Sequence, residues 1–89
     1  MHYVYAIRSE KDGRIYVGMT KNVEKRIKEH NSGHTRSTKG YLPWSLIFIK
    51  EVIDQLAARR YEEYYKSGVG KEYLKTLDLK NGPVVQRIE

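Results

Sequence analysis

The chain contains no cysteine. No disulfide can staple it, and no thiolate can bind zinc or attack a substrate. That composition is neutral about compartment and fits a reducing cytosol. Long apolar runs are missing as well. The longest, Leu46 to Ile49, falls far short of the roughly 18 residues of a membrane span. Met1-His2-Tyr3-Val4-Tyr5 shows no basic leader followed by an apolar stretch, so no signal peptide is expected. There is no internal repeat and no low-complexity segment. The expectation is a soluble, cytoplasmic protein with no membrane attachment.

What is present is short and basic. Eighty-nine residues suffice for one domain and not for two. A domain of this size buries roughly 60–65% of the surface its unfolded chain exposes, so its core is modest. A shallow site on an open face fits it better than an enclosed pocket. Lys and Arg number 17 against 11 acids, a net charge of +6. A polyanion is the natural partner for such a balance. The same charge can also do no more than keep a small protein in solution.

Residues 3–8, Tyr-Val-Tyr-Ala-Ile-Arg, are β-branched and aromatic and predict a strand. Alternation puts Tyr3, Tyr5 and Ile7 on one of its faces. Residues 14–19 predict a second strand. Lys11-Asp12-Gly13 between them is turn chemistry, because Asp bonds its own backbone and Gly accepts a positive φ. The pair makes an antiparallel hairpin. Thr20 or Asn22 can cap a helix over about 22–31, in which Val23, Ile27 and His30 share a face. Residues 32–43 form a polar, basic loop, and residues 45–53 a mostly apolar third strand. Asp54 can cap a second helix, about 55–67, with Leu56, Ala57, Tyr61 and Tyr64 as its apolar stripe. Gly70 separates a short third helix, about 71–77. The order is ββαβαα, an α+β fold with a three-stranded antiparallel sheet flanked by helices. One domain is expected over residues 1–79, followed by a tail, residues 80–89, that reads equally as strand or frayed end.

At these positions the chain resembles a known family. Tyr3-Val4-Tyr5, ten residues, then Tyr16-Val17-Gly18 is similar to the paired motifs of the GIY-YIG nucleases. Arg26 stands eight residues after Gly18, as that family's catalytic arginine does, and His30 stands four further on, where the family has His or Tyr. Ala58-Arg59-Arg60-Tyr61-Glu62 looks like the family's Ala-x-x-x-Glu, whose glutamate holds the metal. The segments from Lys66 to Lys71 and from Tyr73 to Lys75 resemble the ending of small stand-alone members. Each motif alone is weak; the ordered set with correct spacing is specific. Tyr3 replaces the name-giving glycine, and Met19 stands where excision-repair members carry lysine.

The resemblance implies a divalent-metal-dependent endonuclease acting on nucleic acid, DNA above all, with one Mg²⁺ or Mn²⁺ ion. It implies the catalytic set Tyr5, Tyr16, Arg26, His30 and Glu62, with Tyr16 as base on water and Tyr5 positioning it. A tyrosine of ordinary pKa near 10 is a poor base unless a cation stabilises its phenolate. Arg26 has a planar fork that can take two phosphate oxygens. His30 shares its helix face and could relay a proton, donate to phosphate, partner the basic loop, or simply end the helix half-buried. Glu62 would be the metal ligand, placed four residues after Ala58 on a face apart from the core stripe. One carboxylate suffices for Mg²⁺, which keeps several waters. His2, His34 and the other acids show no zinc-ligand spacing. Gly18, lacking a Cβ, would let phosphate or water approach the backbone. Arg36 and Lys39, in the loop His34–Tyr41, would contact substrate. The alternative is a nucleic-acid-binding module that keeps the nuclease fold and cuts weakly or not at all. In either case a protein partner could supply targeting, and the oligomeric state is left open.

Overall fold

The computed structural model describes residues 1–77 and 82–87. Its elements run β1 (His2–Ser9), β2 (Ile15–Thr20), α1 (Val23–Asn31), a tight helical turn at Lys39–Tyr41, β3 (Trp44–Val52), α2 (Gln55–Lys66), α3 (Gly68–Lys75) and β4 (Val84–Gln86). No helix among the described residues is long and apolar enough to cross a membrane.

The expected hairpin is there. Tyr5 faces Gly18 and Ile7 faces Tyr16 across the antiparallel β1–β2 ladder. Gly13 turns the chain at φ 81°, which an L side chain rarely adopts. The Asp12 carboxylate accepts the Arg14 amide at 3.1 Å. Asn22 caps α1 by accepting from the Lys25 amide at 3.0 Å, and Asp54 caps α2 by accepting from Ala57 at 2.8 Å.

The sheet has four strands in the order β2-β1-β3-β4, not three, and it is mixed. β1 is antiparallel to both its neighbours, while β4 lies parallel to β3, Ile49 opposite Val85. The sequence hides β4 because three residues carry too little period to distinguish strand from coil. Residues 80, 81, 88 and 89 of the undecided tail lie outside the described residues. A parallel neighbour requires a long crossover, and α2 and α3 supply it.

Helices cover both faces. Val4, Ala6, Val17, Ile47, Phe48 and Val52 meet Ala58, Tyr65 and Leu74 beneath α2 and α3. Tyr5, Ile7 and Trp44 meet Val23 and Ile27 beneath α1. This is why β1 is buried on both faces along Val4–Ile7.

Two expectations about the helices are corrected. The buried face of α2 is Ala58 and Tyr65, whereas Leu56, at 62% exposure, Tyr61 and Tyr64 point outward. Three tyrosines within five residues offer two possible stripes, and the small Ala57 and Ala58 decide between them by letting the helix approach the sheet. Gly70 lies inside α3 and breaks nothing. A Cβ there would strike the backbone of Tyr64 and Tyr65, so this glycine is what lets α3 fold back tightly on the end of α2.

Candidate active site

The site is centred on β1. Tyr5 occupies the middle of a central strand and is 1% exposed. Its hydroxyl lies 2.7 Å from Nε2 of His30, which the last turn of α1 brings over the sheet. His30 is itself 0% exposed, and its Nδ1 lies 2.8 Å from the Thr38 hydroxyl. Tyr16 stands on the neighbouring strand with its ring centroid 6.4 Å from that of Tyr5 and 5.1 Å, edge-on, from His30. Tyr16 is only partly buried, unlike Tyr5.

Gly18 explains how Tyr5 fits. A Cβ at position 18 would sit 2.6 Å from the Tyr5 hydroxyl oxygen and 2.8 Å from Cζ. The room that glycine leaves is filled by the tyrosine ring.

Burial sets the charge states of this cluster. It is the largest influence raising the Tyr5 pKa to about 12, and the Tyr16 and Glu62 charges push the same way. Hydrogen bonding and positive charge from Arg26 work against the rise without cancelling it. His30 is pushed down to about 4, first by burial and then by the Arg26 charge, with Glu29 opposing. His30 is therefore neutral near pH 7 and its two nitrogens are both engaged by protein. Of the roles left open by the sequence, a cationic donor to phosphate does not fit.

Arg26 keeps its charge firmly. Partial burial lowers its pKa, but Tyr5, Tyr16 and Glu29 together outweigh that and the net shift is upward. Its contact with Glu29 is long, 3.4 Å, and half-exposed, so it holds the guanidinium only loosely.

Glu62 is not on a face apart from the core. It stands one turn from the buried Ala58 and three residues before the buried Tyr65, at the margin of the core face, with its side chain 21% exposed. The misplacement follows from the misread α2 stripe. Its cation partner, Lys66, is 3.6 Å away and more than half exposed, an ion pair of little strength. Glu63 beside it is exposed.

The cluster thus joins Tyr5, Tyr16, Gly18 and His30 by contact, and Arg26 and Glu62 by charge acting at Tyr5. Arg36 and Lys39 are exposed on the loop, and no side-chain bond among the described residues ties them to the cluster. That loop is nevertheless well anchored. Ser9 donates to the Tyr41 carbonyl at 2.7 Å, the Trp44 indole donates to the Thr38 carbonyl at 2.9 Å, and the Arg14 guanidinium lies 3.5 Å over the Tyr41 ring. Thr38, Trp44 and Asn31 are the positions that sequence reasoning overlooked. Asn31 brackets the backbone of Trp44, accepting from its amide at 2.7 Å and donating to its carbonyl at 3.0 Å. Nothing in a polar run such as Thr35-Arg36-Ser37-Thr38 marks which hydroxyl is buried.

Among the described residues no group of three or more His, Asp or Glu could hold a metal ion. Of the carboxylates, Glu62 is the one whose charge acts at Tyr5, and it is weakly paired and partly open to water. That fits a hydrated hard cation such as Mg²⁺, which takes one or two carboxylates and keeps waters, and does not fit zinc.

Comparison with known proteins gives the family. The model of the GIY-YIG catalytic domain matches residues 1–75. A UPF0213 protein of Clostridium perfringens is 34% identical over 82 residues, which cover 91% of this chain and 87% of that one. The solution NMR structure of a UPF0213 protein from Bacillus halodurans superposes with a TM-score of 0.52 at 38% identity, covering 92% of this chain and 87% of that one. The structure-specific endonuclease subunit slx1 of Xenopus laevis is 33% identical over 67 residues, 70% of this chain but 24% of that protein. The chain belongs to the GIY-YIG nuclease family, with the small UPF0213 proteins of bacteria and archaea among its relatives.

Proposed function

We propose that this chain is an endonuclease that hydrolyses phosphodiester bonds of DNA with the help of one divalent ion, Mg²⁺ or Mn²⁺. Nucleases of the family generally use divalent metal ions. The observation that carries the reading is the Tyr5–Tyr16–His30 cluster, with a firmly charged Arg26 and a half-buried Glu62 both felt at Tyr5. A module that only bound nucleic acid would need no such set. The relative in Xenopus laevis that bears the name of an endonuclease subunit supports the same direction.

In this reading the two tyrosines divide the work. Tyr5, with its proton raised to about 12, is a scaffold and not a base. Tyr16, in its phenolate form, receives the attacking water's hydrogen bond and takes its proton as the water oxygen bonds to phosphorus. The bond from phosphorus to the leaving deoxyribose oxygen then breaks, and that oxygen takes a proton from solvent. Arg26 lies against the negative charge that builds on the phosphorane oxygens. Gly18 serves the site by leaving room for the Tyr5 ring, not by opening the backbone to phosphate. Arg36 and Lys39 contact the flanking phosphates, which the net charge of +6 favours. A divalent ion held by Glu62 would polarise the phosphate and stabilise the leaving oxygen.

The test is a panel of branched, nicked and single-stranded DNA with Mg²⁺ or Mn²⁺. Arg26→Ala is expected to lower the cleavage rate about 10²–10³-fold. Glu62→Gln should do likewise, and both should leave binding and melting temperature close to wild type. Wild-type rates from Glu62→Gln would remove Glu62 from the metal role. Wild-type protein that binds with a steep salt dependence and cuts nothing would leave a binding module instead.

A further inference from the structure

We propose that Thr38 is a positioning residue: its hydroxyl decides which ring nitrogen of His30 carries the proton and thereby aims the hydroxyl of Tyr5. The functional part of this inference rests on the nuclease reading above.

Thr38 is an odd residue for its surroundings. Arg36, Ser37, Lys39 and Gly40 around it are all exposed, yet Thr38 is 0% exposed. Threonines in polar loops are mostly solvated, so a fully buried one has a reason to be there. Its hydroxyl has two neighbours: His30 Nδ1 at 2.8 Å and the Thr35 carbonyl oxygen at 3.3 Å. A carbonyl can only accept, and a hydroxyl has one proton to give. In the proposed arrangement the Thr38 hydroxyl donates to the Thr35 carbonyl and accepts from His30 Nδ1.

The rest follows in sequence. A neutral imidazole has one N–H. If Nδ1 holds it, Nε2 is bare and accepts the Tyr5 hydroxyl at 2.7 Å. The Tyr5 oxygen then offers only lone pairs to the site. It can receive a hydrogen bond from water, from Arg26 or from Tyr16, and it cannot donate one to them. The chain ends on a backbone carbonyl, which cannot pass a proton on. It orients groups and does not conduct.

Thr38 is in turn held from outside the loop. Its carbonyl accepts the Trp44 indole N–H at 2.9 Å, and Asn31 fixes the Trp44 backbone. The Thr35 carbonyl also collects the backbone N–H groups of Thr38 and Lys39, at 3.0 and 2.9 Å, which pins the turn beneath the ring. The end of α1 and the start of β3 thus place this hydroxyl to serve one atom of His30.

The experiment reads the ring nitrogens of the full chain directly. In ¹⁵N-labelled protein at neutral pH, His30 is assigned by its disappearance in His30→Gln. Wild type and Thr38→Ser should show the proton on Nδ1. Thr38→Val, nearly the same shape without the hydroxyl, should move population to the Nε2–H form. In the cleavage assay Thr38→Val should lower kcat roughly 10- to 100-fold at unchanged KM, with Thr38→Ser restoring most of the loss. A wild-type ring protonated on Nε2 overturns the proposal. So does Thr38→Val with the Nδ1–H pattern and kcat intact. A wild-type protein that cuts nothing counts against the nuclease reading alone, and the nitrogen shifts still decide the position of the proton.

Discussion

The two faces of the sheet are made of the same strands and are held by different chemistry. Beneath α2 and α3 the contacts are apolar and aromatic. Phe48 lies with its ring centroid 4.7 Å from Tyr65 and 6.1 Å from Tyr73. Beneath α1 a smaller apolar cluster of Ile7, Trp44, Val23 and Ile27 is joined by a chain of hydrogen bonds, from Tyr5 to His30 to Thr38, with Trp44 and Asn31 closing the bracket. Apolar contact is non-directional and tolerates small shifts in position. A chain of hydrogen bonds fixes individual atoms within tenths of an ångström. The first face contributes to stability by apolar contact alone, and the second adds fixed atomic positions to it.

The division can be broken from either side. Phe48→Ala empties the apolar face and should have the largest effect, about 3–5 kcal/mol of stability lost. A domain has only about 5–15 kcal/mol in all, so the melting transition should fall steeply. Any folded fraction should keep the Tyr5–His30 bond and its share of activity. Denaturant titration beside single-turnover cleavage measures both. A loss below about 1 kcal/mol, an ordinary value for any substitution, would show that the face beneath α2 and α3 is not what holds the fold.

Gly18→Ala should give the opposite pattern. The new Cβ meets a tyrosine that cannot swing away, because its ring is buried and its hydroxyl is tied to His30. Displacing that ring by a fraction of an ångström should cost cleavage about 10²-fold. Overpacking should cost stability about 1–3 kcal/mol, at or below the lower end of the Phe48→Ala loss. Full cleavage with a large drop in melting temperature would mean that Gly18 serves packing alone.

The same contrast accounts for what the sequence reveals and what it hides. Tyr5 opposite Gly18, and Ile7 opposite Tyr16, follow from period-two alternation and a turn with Asp and Gly in it. The caps at Asn22 and Asp54 are legible because capping is local. The burial of α2 is not local. It depends on which of Ala58, Tyr61, Tyr64 and Tyr65 the sheet can accommodate, and that error carried Glu62 to the wrong face. Gly70 looks like a breaker when read alone and proves to be a contact point between two helices. β4 depends on a free edge that exists only once β3 is in place. In the candidate site, spacing and family resemblance suffice to name Tyr5, Tyr16, Arg26, His30 and Glu62. They are silent about Thr38, whose partner is eight residues away in another element and whose burial is set by Trp44.

The last prediction concerns the charge on the polar face and is the smallest. In the unfolded chain His30 titrates near 6.5, and in the folded chain near 4. Between those values the unfolded state binds more protons, so stability rises with pH through this window and levels off above it. Read downward, the contribution of a neutral His30 is whole above pH 6.5 and is lost as pH falls toward 4. His30→Gln keeps a polar group and removes the titration. Its melting temperature should be lower than wild type at pH 7, because the bonds to Tyr5 and Thr38 are weakened, and it should fall less on acidification. The comparison belongs between about pH 6.5 and 5, above the ordinary range of the carboxylates that both proteins share. Parallel slopes in that interval would mean that the ring is charged or solvated in the folded state. The polar face would then be no more directional than its apolar counterpart, and the fixed orientation of Tyr5 would have to come from Gly18 alone.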